Sequence, residues 1–551
     1  MKFYLKNIGM GQVSYDVLWA TANRVFTERE HELCDSEANA DFVVTLRVDG
    51  EYKNDRYTVC PTDKNVALVA ANDCALHAAF GRWLLECTFD GVGGFIPATE
   101  CIDFTPKNSL RGMYFATHFY NFYHVAPLEE VYEVIEDLAL RGCNSILVWF
   151  DMHHFESMKD EAAQTLVQRL RAIIKYANKI GISGSLTMLS NESFANSPVE
   201  LRAEWEAIGN YHARPDDHYR LEICPSKPGG IELILKYRRE MLEYFCDLDI
   251  DYVCYWPYDQ GGCTCLDCQP WGSNGFTRLL PHFQGLVKEM MPKTKIILSA
   301  WYFDKFIKGE WDSFYAQLCD GSIKDVPYIM SFFFNGEMPD CVREGGVPAG
   351  YKFIDFPEIS MYSCSPWGGF GASVLPKFLN RTNHKTAHLY SGGFPYSEGI
   401  FEDINKFIEI TWYSGQFTDA EDAVRAYVKY TFCVDGKALD ELTDAIIKSE
   451  ASIARTKVRE EESMRFNIAD TAYVEHVYSI MTYYNAKLPE KIRNNYRFRL
   501  FYLRAVIDRE IVSCDGYSLR SEVCQSAMRE VNEIYHATED TKRWVKAPYG
   551  V

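Results

Sequence analysis

The stretch LRGMYFATHFYNFYHVAPLEEVYEVIEDLALRGCNSILVWFD, residues 110–151, predicts a strand, an amphipathic helix and a second strand. The same alternation of apolar runs and helical segments continues to about residue 413, which is typical of βα units around a parallel sheet. The predicted strands are RGMYFATHF (111–119), NSILVWFD (144–151), ISGSLTML (182–189), DYVCYWPYD (251–259), KIILSAWYFD (295–304), PYIMSFFF (327–334), YKFIDFPE (351–358) and AHLYSGGFPYSE (387–398). Eight such strands predict a closed (β/α)8 barrel, because eight is the number that closes this architecture.

The regions on either side of the barrel differ from it in pattern. Residues 1–108 mix short β-like runs such as DFVVTLRV (41–48) with one helical stretch, which predicts a small α/β domain. Residues 109–413 form the predicted barrel. Residues 414–551 are helical by periodicity, as in DAEDAVRAYVKYTF (419–432), and are predicted to form a helical C-terminal domain. The 551 residues therefore predict three domains.

Composition and charge argue against several classes of protein. With 47% hydrophobic and 24% charged residues, the chain has the composition of a globular protein with a large core. Its net charge of −20 repels nucleic acid and anionic lipid, and it has no signal-like or membrane-spanning apolar stretch. The 18 cysteines are scattered and fit reduced thiols. We therefore expect a cytoplasmic protein that binds neither nucleic acid nor membrane.

Carboxylates recur where the predicted strands end. In a (β/α)8 barrel these positions lie at one mouth, where catalytic groups are found. A strand-end acid can also cap the next helix or pair with a lysine, and both interpretations stay open for any single residue. The acids are Asp151, Glu192, Asp259, Asp304, Glu358 and Glu398.

Aromatic residues accompany these acids. Ring faces pack against the C–H faces of sugars while carboxylates and imidazoles bind the hydroxyl groups, so the combination favours carbohydrate chemistry. The alternative is that the rings belong to the core, since strands and interiors favour them. The residues are Trp149, Trp256, Tyr258, Trp301, Tyr302, Trp367 and Tyr396.

Two segments resemble known enzymes. LRGMYFATHFYNF (110–122), followed by a helix and RGCNSILVWFDMHHF (141–155), resembles the first two βα units of α-glucuronidase-like and β-N-acetylhexosaminidase-like glycoside hydrolases. ALHAAFGRWLLECTFDGVGGFIPATE (75–100) is similar to the end of the small α/β domain that precedes their barrel. The resemblance implies the same domain order and cleavage of a glycosidic bond. The hexosaminidases' adjacent Asp-Glu pair on strand four is absent, since Gln260 follows Asp259, which argues against their acetamido-assisted mechanism.

Glycosidic cleavage uses one protonated carboxyl group for the leaving oxygen and one ionised group that attacks carbon or activates water. Strands four and seven lie on opposite sides of an eight-stranded barrel, and enzymes that resemble this chain often divide the roles between them. We assign Asp259 as the general acid, with its pKa expected to be raised by its aromatic neighbours. Glu358 is assigned as the nucleophile or base, with Glu398 and Asp151 as alternatives.

Further side chains near the strand ends are predicted to bind substrate. The histidines His118, His153 and His154 either bind sugar hydroxyls or a carboxylate, or are buried core or loop residues. The resemblance implies that Arg111 binds sugar hydroxyls, and the alternative is a salt bridge at the barrel floor. The predicted substrate-binding residues are Arg111, His118, Asp151, His153, Glu192, Trp256, Tyr258, Trp301, Trp367, Tyr396 and Glu398.

Three cysteines follow predicted strand four within six positions. Cys263, Cys265 and Cys268 form C-x-C-x-x-C, one ligand short of a structural zinc site, and Cys224 on the preceding βα loop can supply the fourth thiolate. Structural zinc, free thiols and a disulfide all stay open. A catalytic zinc is not expected, because neither H-E-x-x-H nor an open three-ligand arrangement occurs. We therefore expect no cofactor to be required for catalysis.

These features predict an exo-acting glycosidase that removes a terminal sugar from oligosaccharides, with a β-N-acetylhexosaminidase-like or α-glucuronidase-like substrate. The alternatives are a non-catalytic carbohydrate-binding barrel and a sugar-acid lyase or isomerase that uses a base and a metal. The sequence contains no P-loop and no G-x-S-x-G elbow, which argues against nucleotide-dependent and serine-hydrolase chemistry. The identity of the sugar, the anomer and the presence of a homo-oligomer stay open.

Overall fold

The N-terminal part of the molecule is a mixed sheet covered by helices. The computed structural model describes residues 1–89, 94–204, 221–258, 261–305, 307–360, 371–452, 455–460, 463–468, 470–514 and 521–537. The strands described before the barrel are β1 (Lys2–Ile8), β2 (Glu32–Leu33), β3 (Phe42–Val48), β4 (Tyr57–Pro61), β5 (Asn65–Ala70), β6 (Thr88–Phe89), β7 (Phe95–Ile96) and β8 (Ile102–Phe104). The strands β6 and β7 pair with each other, and the others form one sheet in the order β2-β1-β3-β5-β4-β8.

Helices α1 (Gln12–Glu28) and α2 (Asp73–Glu86) pack on this sheet. Trp83 of α2 is fully buried, and its ring stacks on Phe42 of β3 with 5.9 Å between the centroids. Phe3 of β1 stacks on Phe26 of α1 at 4.4 Å. The expected combination of short strands and helices is therefore present in this part of the chain.

The central part is a closed parallel barrel, as predicted. Within the described ranges, its eight strands are β9 (Leu110–Phe115), β10 (Ser145–Trp149), β11 (Ser183–Leu189), β12 (Ile250–Trp256), β13 (Lys295–Ser299), β14 (Tyr328–Ser331), β15 (Lys352–Asp355) and β16 (Tyr390–Gly393). A short continuation of the eighth strand, β17 (Tyr396–Ser397), also pairs with β9. Each strand is parallel to its neighbours, and β9 pairs with both β10 and β16, which closes the barrel. The (β/α)8 prediction is confirmed.

Closure between β16 and β9 depends on glycine. Gly392 has φ +111°, and a Cβ atom there would lie 1.8 Å from the backbone oxygen of Leu110. A side chain cannot fit at this distance, so the last strand approaches the first only because its sequence is SGG. The barrel strands are rich in apolar residues because a parallel sheet that is covered on both faces buries the side chains on both sides. In β10, for example, every residue is buried.

Helices connect the barrel strands and cover them. They are α3 (Phe122–Val125), α4 (Leu128–Leu140), α5 (Glu161–Ile180), α6 (Gly230–Leu242), α7 (Gly275–Met290), α8 (Glu310–Cys319), α9 (Asp340–Gly345), α10 (Pro376–Thr386) and α11 (Asp403–Ser414). In α5 the buried residues recur every three or four positions, from Ala163 to Ile180, so one face packs on the strands. The helix ends at Gly181, whose φ of 85° forms a left-handed cap.

The C-terminal part is mainly helical, as predicted. Its helices are α12 (Ala420–Phe432), α13 (Gly436–Ser449), α14 (Thr471–Lys487), α15 (Glu490–Arg493), α16 (Tyr496–Ser513) and α17 (Glu522–Ile534). An antiparallel pair, β18 (Arg455–Glu460) and β19 (Ser463–Ile468), interrupts them, and helical periodicity alone did not predict it. None of the helices in the described ranges combines the length and apolar composition that a membrane span needs.

A buried set of charges connects the three parts of the molecule, and we call it the outer ionic network. Arg24 of α1 donates a hydrogen bond to Asp137 of α4, with 2.8 Å between Nη2 and Oδ1. Arg141 and Arg497 donate to Asp403 of α11 at 2.7 to 2.9 Å, and Arg497 also pairs with Asp137. Burial raises the pKa of Asp403, but the charges of Arg141 and Arg497 lower it further, to well below its ordinary value. The carboxylate is therefore ionised and compensated.

Candidate active site

Aromatic side chains form a wall at the carboxyl ends of the barrel strands. Trp256 is the last residue of β12, and Trp301 comes shortly after β13. Their ring centroids lie 5.7 Å apart. Phe356 lies 4.9 Å from Trp256 and 6.0 Å from Tyr396. Tyr396 stacks on Tyr114 of β9 at 5.3 Å. Rings from strands that are distant in sequence therefore pack together at the mouth.

The sequence identified only some of this wall. Trp256, Trp301 and Tyr396 were predicted, whereas Tyr114 and Phe356 were missed because strand aromatics look the same whether they face the mouth or the core. The two remaining predicted residues of greatest interest, Asp259 and Trp367, lie outside the described residues.

Two acidic residues, Glu358 and Glu398, lie next to Tyr396. Glu358 follows β15 and forms a parallel β-bridge with Tyr396, while Glu398 directly follows β17. The Tyr396 hydroxyl donates to Glu398, with 3.3 Å between the hydroxyl oxygen and Oε1. Glu358 is half-buried, whereas Glu398 is 2% exposed. The Oε2 atom of Glu398 has no hydrogen-bond partner among the described residues.

The surroundings of Glu398 favour its protonated form. Burial raises its pKa well above the ordinary value, and the charges of Glu402 and Glu358 raise it further, against the hydrogen bond from Tyr396. Burial and like charge therefore both favour the form of Glu398 that keeps its proton. The mouth therefore places a carboxyl group that can donate a proton beside one that solvent can reach, which is a pairing that glycosidic cleavage can use.

A second polar group, formed by Asp151, His153, His154 and Glu192, follows β10 and β11. His153 Nδ1 lies 2.5 Å from Asp151 Oδ1 and 3.0 Å from Glu192 Oε1. Glu192 Oε1 also accepts the backbone N–H of Met152 at 2.9 Å. Asp151 Oδ2 lies 2.9 Å from Nε2 of His154, whose side chain is 37% exposed. The sequence predicted these residues, and the structure brings them together.

The charges of this group partly cancel. Burial lowers the pKa of His153, but the charge of Asp151 and bonds to Asp151 and Glu192 raise it more, to about 10. Burial raises the pKa of Asp151, but His153 and His154 hold it well below its usual range. At neutral pH His153 is therefore a cation that lies between Asp151 and Glu192. The ligand atoms of Asp151, His153 and His154 all lie within 4.8 Å of one another, so they can also hold a metal ion.

His118 is a neutral imidazole in the wall. It is 5% exposed, and burial lowers its pKa to about 3. Its Nε2 atom lies 3.4 Å from the Tyr114 hydroxyl, and its ring contacts Trp149 at 4.9 Å. No described residue bonds to its Nδ1 atom. His118 is therefore a buried, neutral imidazole beside Tyr114 and Trp149. Its role in binding substrate stays a prediction.

Two of the predicted residues lie behind the mouth. The Tyr258 hydroxyl donates to Glu310 at 2.5 Å, and its ring packs against Phe303 in the layer of helices outside the barrel. Burial raises the pKa of Glu310 to about 7. Asp304 Oδ1 accepts the backbone N–H groups of Glu310 and Trp311 at 2.7 and 3.3 Å. Asp304 therefore caps α8, which is the alternative that a strand-end acid leaves open.

Arg111 lies at the opposite end of the barrel from the mouth. It is the second residue of β9 and 3% exposed. Its guanidinium group donates to Asp55 Oδ2 at 2.7 Å and to the backbone oxygens of Gly142 and Asn108 at 2.8 and 2.7 Å. This position matches the salt-bridge alternative rather than the sugar-binding role that the resemblance implied, because its donors are used at the barrel floor.

Sequence reasoning also missed residues that position the loops. Arg238 of α6 is 1% exposed and donates to the backbone oxygens of Leu189 and Glu192 at 2.5 and 2.8 Å. It therefore holds the loop that carries the Glu192 carboxylate. An arginine on the buried face of an amphipathic helix is the signal that could have identified it.

The structure brings the four predicted cysteines together. Cys224 Sγ lies 3.8 Å from both Cys265 Sγ and Cys268 Sγ. With Cys263, the four sulfur atoms all lie within 4.8 Å of one another. A disulfide bond needs about 2.05 Å, so these sulfurs are not paired as cystines.

Comparisons with known proteins identify the fold. No model of a protein family matches the sequence, and no curated protein matches it. The structure is similar to that of a GH138 enzyme targeting pectin rhamnogalacturonan II, with a TM-score of 0.58 and 11% identity over 98% of this chain and 89% of that chain. It is also similar to a family 89 glycoside hydrolase from Clostridium perfringens in complex with GlcNAc-α-1,4-galactose.

The second similarity has a TM-score of 0.59 and 13% identity over 95% of this chain, and it covers 65% of the Clostridium enzyme. A third is to the GH20 β-N-acetylhexosaminidase of Streptomyces coelicolor A3(2), with a TM-score of 0.53 and 12% identity over 79% of this chain and 92% of that one. At these identities the likeness concerns the fold. This chain has the (β/α)8-barrel fold of these glycoside hydrolases.

Proposed function

We propose that the protein is an exo-acting glycoside hydrolase that removes a terminal sugar by a two-carboxylate mechanism. The observation that supports this most is that Glu358 and Glu398 both lie next to Tyr396 of the aromatic wall, where burial and the charges of Glu402 and Glu358 raise the pKa of Glu398. Acid and base roles on two carboxyl groups need environments that separate their pKa values. The wall offers ring faces against which one sugar unit can pack.

In this proposal Glu358 is the nucleophile or the base. It is half-buried at the carboxyl end of β15, so it can reach both a substrate and water. The other acid of the same segment, Asp355, faces Glu409 of α11, whose charge adds to burial in raising the pKa of Asp355. That orientation leaves Glu358 as the acid of this strand that can act at the mouth.

The proton donor is Asp259 in our assignment, with Glu398 as the competing donor. Asp259 follows Tyr258, whose hydroxyl bond to Glu310 fixes it behind the mouth. Glu398 is favoured by its raised pKa and by an Oε2 atom that no described residue binds. The two candidates make different kinetic predictions, because only the true donor assists a poor leaving group.

The deciding experiment compares Asp259→Asn with Glu398→Gln on two glycosides of the same sugar. A screen of aryl glycosides, including N-acetylhexosaminides and glucuronides, first identifies that sugar. We expect Asp259→Asn to lose about 10²–10⁴-fold on a poor leaving group and to retain most activity on an activated aryl group. If Glu398→Gln shows this pattern instead, Glu398 is the proton donor. Absence of hydrolysis across the screen would contradict the proposal and favour a carbohydrate-binding barrel.

A sugar-acid lyase or isomerase is a second candidate because of one observation. Asp151, His153 and His154 offer ligand atoms within 4.8 Å, and such enzymes combine a metal ion with a base. This candidate predicts that turnover of a sugar acid needs divalent cations. It also predicts that Asp151→Asn is inactive whether or not divalent cations are added. Hydrolysis in the presence of a chelator would exclude it.

We also propose a cytoplasmic location and a carbohydrate substrate as the partner. No cysteine in the described ranges forms a disulfide bond, although Cys60, Cys101, Cys246 and Cys319 are exposed, which suits a reducing compartment. Fractionation of the source cells tests the location.

A further inference from the structure

We propose that Cys224, Cys263, Cys265 and Cys268 bind one Zn²⁺ ion, which connects the loops after the third and fourth barrel strands. The inference concerns a site outside the mouth and does not depend on the proposed glycosidase activity. Three of the four cysteines are at most 1% exposed, and Cys265 is half-buried. Zinc in structural sites takes four such ligands in a tetrahedron.

The spacing of the sulfur atoms fits a single ion. Zinc–thiolate bonds are about 2.3 Å long, so the edges of a regular tetrahedron of sulfurs measure about 3.8 Å. Cys224 Sγ lies 3.8 Å from Cys265 Sγ and 3.8 Å from Cys268 Sγ. All four sulfurs lie within 4.8 Å of one another, which is too close for an iron–sulfur cluster with several metal ions between the ligands.

Neighbouring groups are suited to negatively charged sulfurs. The Ser226 hydroxyl lies 3.0 Å from Cys268 Sγ, and Arg278 Nη2 lies 3.6 Å from the same sulfur. Arg278 also donates to the Ser226 hydroxyl at 2.5 Å. Four thiolates around Zn²⁺ carry a net charge of −2, and an arginine with hydrogen-bond donors stabilises that charge. Buried thiols without a metal would need no such donors.

The site connects two loops that follow neighbouring barrel strands, β11 and β12. Cys224 belongs to the loop that precedes α6, and Cys263, Cys265 and Cys268 belong to the loop between β12 and α7. The loops also share Asn191, whose Nδ2 donates to the backbone oxygens of Ile223 and Gly262 at 2.9 and 2.8 Å. Gly262 N–H donates back to Asn191 Oδ1 at 2.8 Å.

This connection gives the metal a positioning role. Gly262 is three residues after Asp259, so the ion and Asn191 together fix the chain just beyond that acid. Loss of zinc should leave the barrel strands paired and release this loop first. The sulfur atoms themselves are not expected to contact substrate.

The test is the metal content of the full-length protein purified without added metal. We expect about one zinc per chain in the wild type and at least a tenfold lower content in Cys224→Ser and Cys263→Ser. Cys254→Ser is the matched control, because Cys254 is a fully buried thiol of β12 outside the group, and this variant should keep its zinc. Metal-free wild-type protein, or iron in place of zinc, would overturn the proposal.

A second measurement covers the case in which the cysteine variants fail to fold. Wild-type protein exchanged with Co²⁺ should show the thiolate-to-cobalt charge-transfer absorption and the intense visible bands of a tetrahedral sulfur site. Chelation should lower the Tm of the wild type and expose the four thiols to alkylation. If the cobalt-treated protein lacks these bands and all four thiols are alkylated before chelation, the four cysteines are free thiols. That result would overturn the proposal.

Discussion

The outer ionic network surrounds its buried carboxylates with arginines, whereas the mouth of the barrel places the buried carboxyl group of Glu398 beside other acids. Asp403 is 4% exposed, pairs with Arg141 and Arg497, and has a lowered pKa. Glu398 is 2% exposed, has Glu358 and Glu402 as charged neighbours, and has a raised pKa. The two groups are about equally buried, so the difference lies in the sign of the surrounding charge.

This difference separates groups that stabilise the fold from groups that are available for chemistry. A buried carboxylate held by arginines gains from its neighbours, and its removal leaves their charges unpaired. A buried carboxyl group among acids costs free energy in its ionised form and holds a proton that it can transfer. The predictions below test whether activity and stability follow this division.

The largest effect is expected at the mouth, in Glu358→Gln. If Glu358 attacks carbon or activates water, its amide variant should lose about 10⁴-fold in kcat/KM on the substrate found in the screen, because an amide can neither attack nor accept the proton. The matched control is Glu409→Gln, which alters a fully buried carboxyl group on α11 that bonds to Asn383. Its kcat/KM should change by no more than about threefold. Equal losses in both variants would refute the division.

The outer ionic network is expected to show its effect in stability. Asp403→Asn leaves Arg141 and Arg497 buried without their carboxylate, which should lower the free energy of unfolding by about 3–5 kcal/mol. Asp247→Asn is the control, since Asp247 pairs with Arg171 at 2.7 Å on the surface and should change stability by about 1 kcal/mol or less. Urea denaturation measures both. A small loss in Asp403→Asn would mean that the network is not a stabilising element.

The pH dependence of stability should have opposite signs in the two regions. The pKa of Asp403 is lowered by folding, so its contribution is present above about 3.8 and is lost as the pH falls below that value. The pKa of Glu398 is raised, so its contribution is present below about 4.5 and is lost as the pH rises toward its folded-state pKa.

Each variant therefore has its own test by denaturation at several pH values. Above pH 4.5 the free energy of unfolding of the wild type should fall relative to that of Glu398→Gln, with a limiting slope of about 1.4 kcal/mol per pH unit. The difference between wild type and Asp403→Asn should shrink only in acid. A flat curve for Glu398→Gln would show that this carboxyl group is ionised in the folded protein.

The fold could be predicted because its signal is repeated. Eight apolar runs alternate with helical segments, and strands such as β10 are buried on both faces, so errors at single residues do not change the count. The hairpin β18–β19 was missed because two six-residue strands between long helices give no comparable repetition. The division into domains of residues 1–108, 109–413 and 414–551 stays a prediction.

The site was predictable in position and only partly in detail. The rule that strand-end residues share one mouth correctly brought Asp151, Glu192, Glu358 and Glu398 to this end of the barrel. It could not tell that Asp304 caps a helix or that Tyr258 bonds to Glu310, because those outcomes depend on side-chain direction and on partners from other helices. For Arg111 the position in its strand was informative, since it is the second residue of β9 and so lies at the floor.

The smallest expected effect concerns a single hydrogen bond at the mouth, tested by Tyr396→Phe. The Tyr396 hydroxyl donates to Glu398 Oε1 at 3.3 Å, and this bond lowers the pKa of Glu398 by stabilising its charged form. Its removal should therefore move the pH–rate limb that belongs to Glu398 upward by about half a unit, with a change in kcat of about fivefold or less. Tyr114→Phe is the matched control, because Tyr114 stacks on the same ring while its hydroxyl lies next to His118. An unchanged limb in Tyr396→Phe, or an equal shift in Tyr114→Phe, would show that the profile reports another group, with Asp259 as the first candidate.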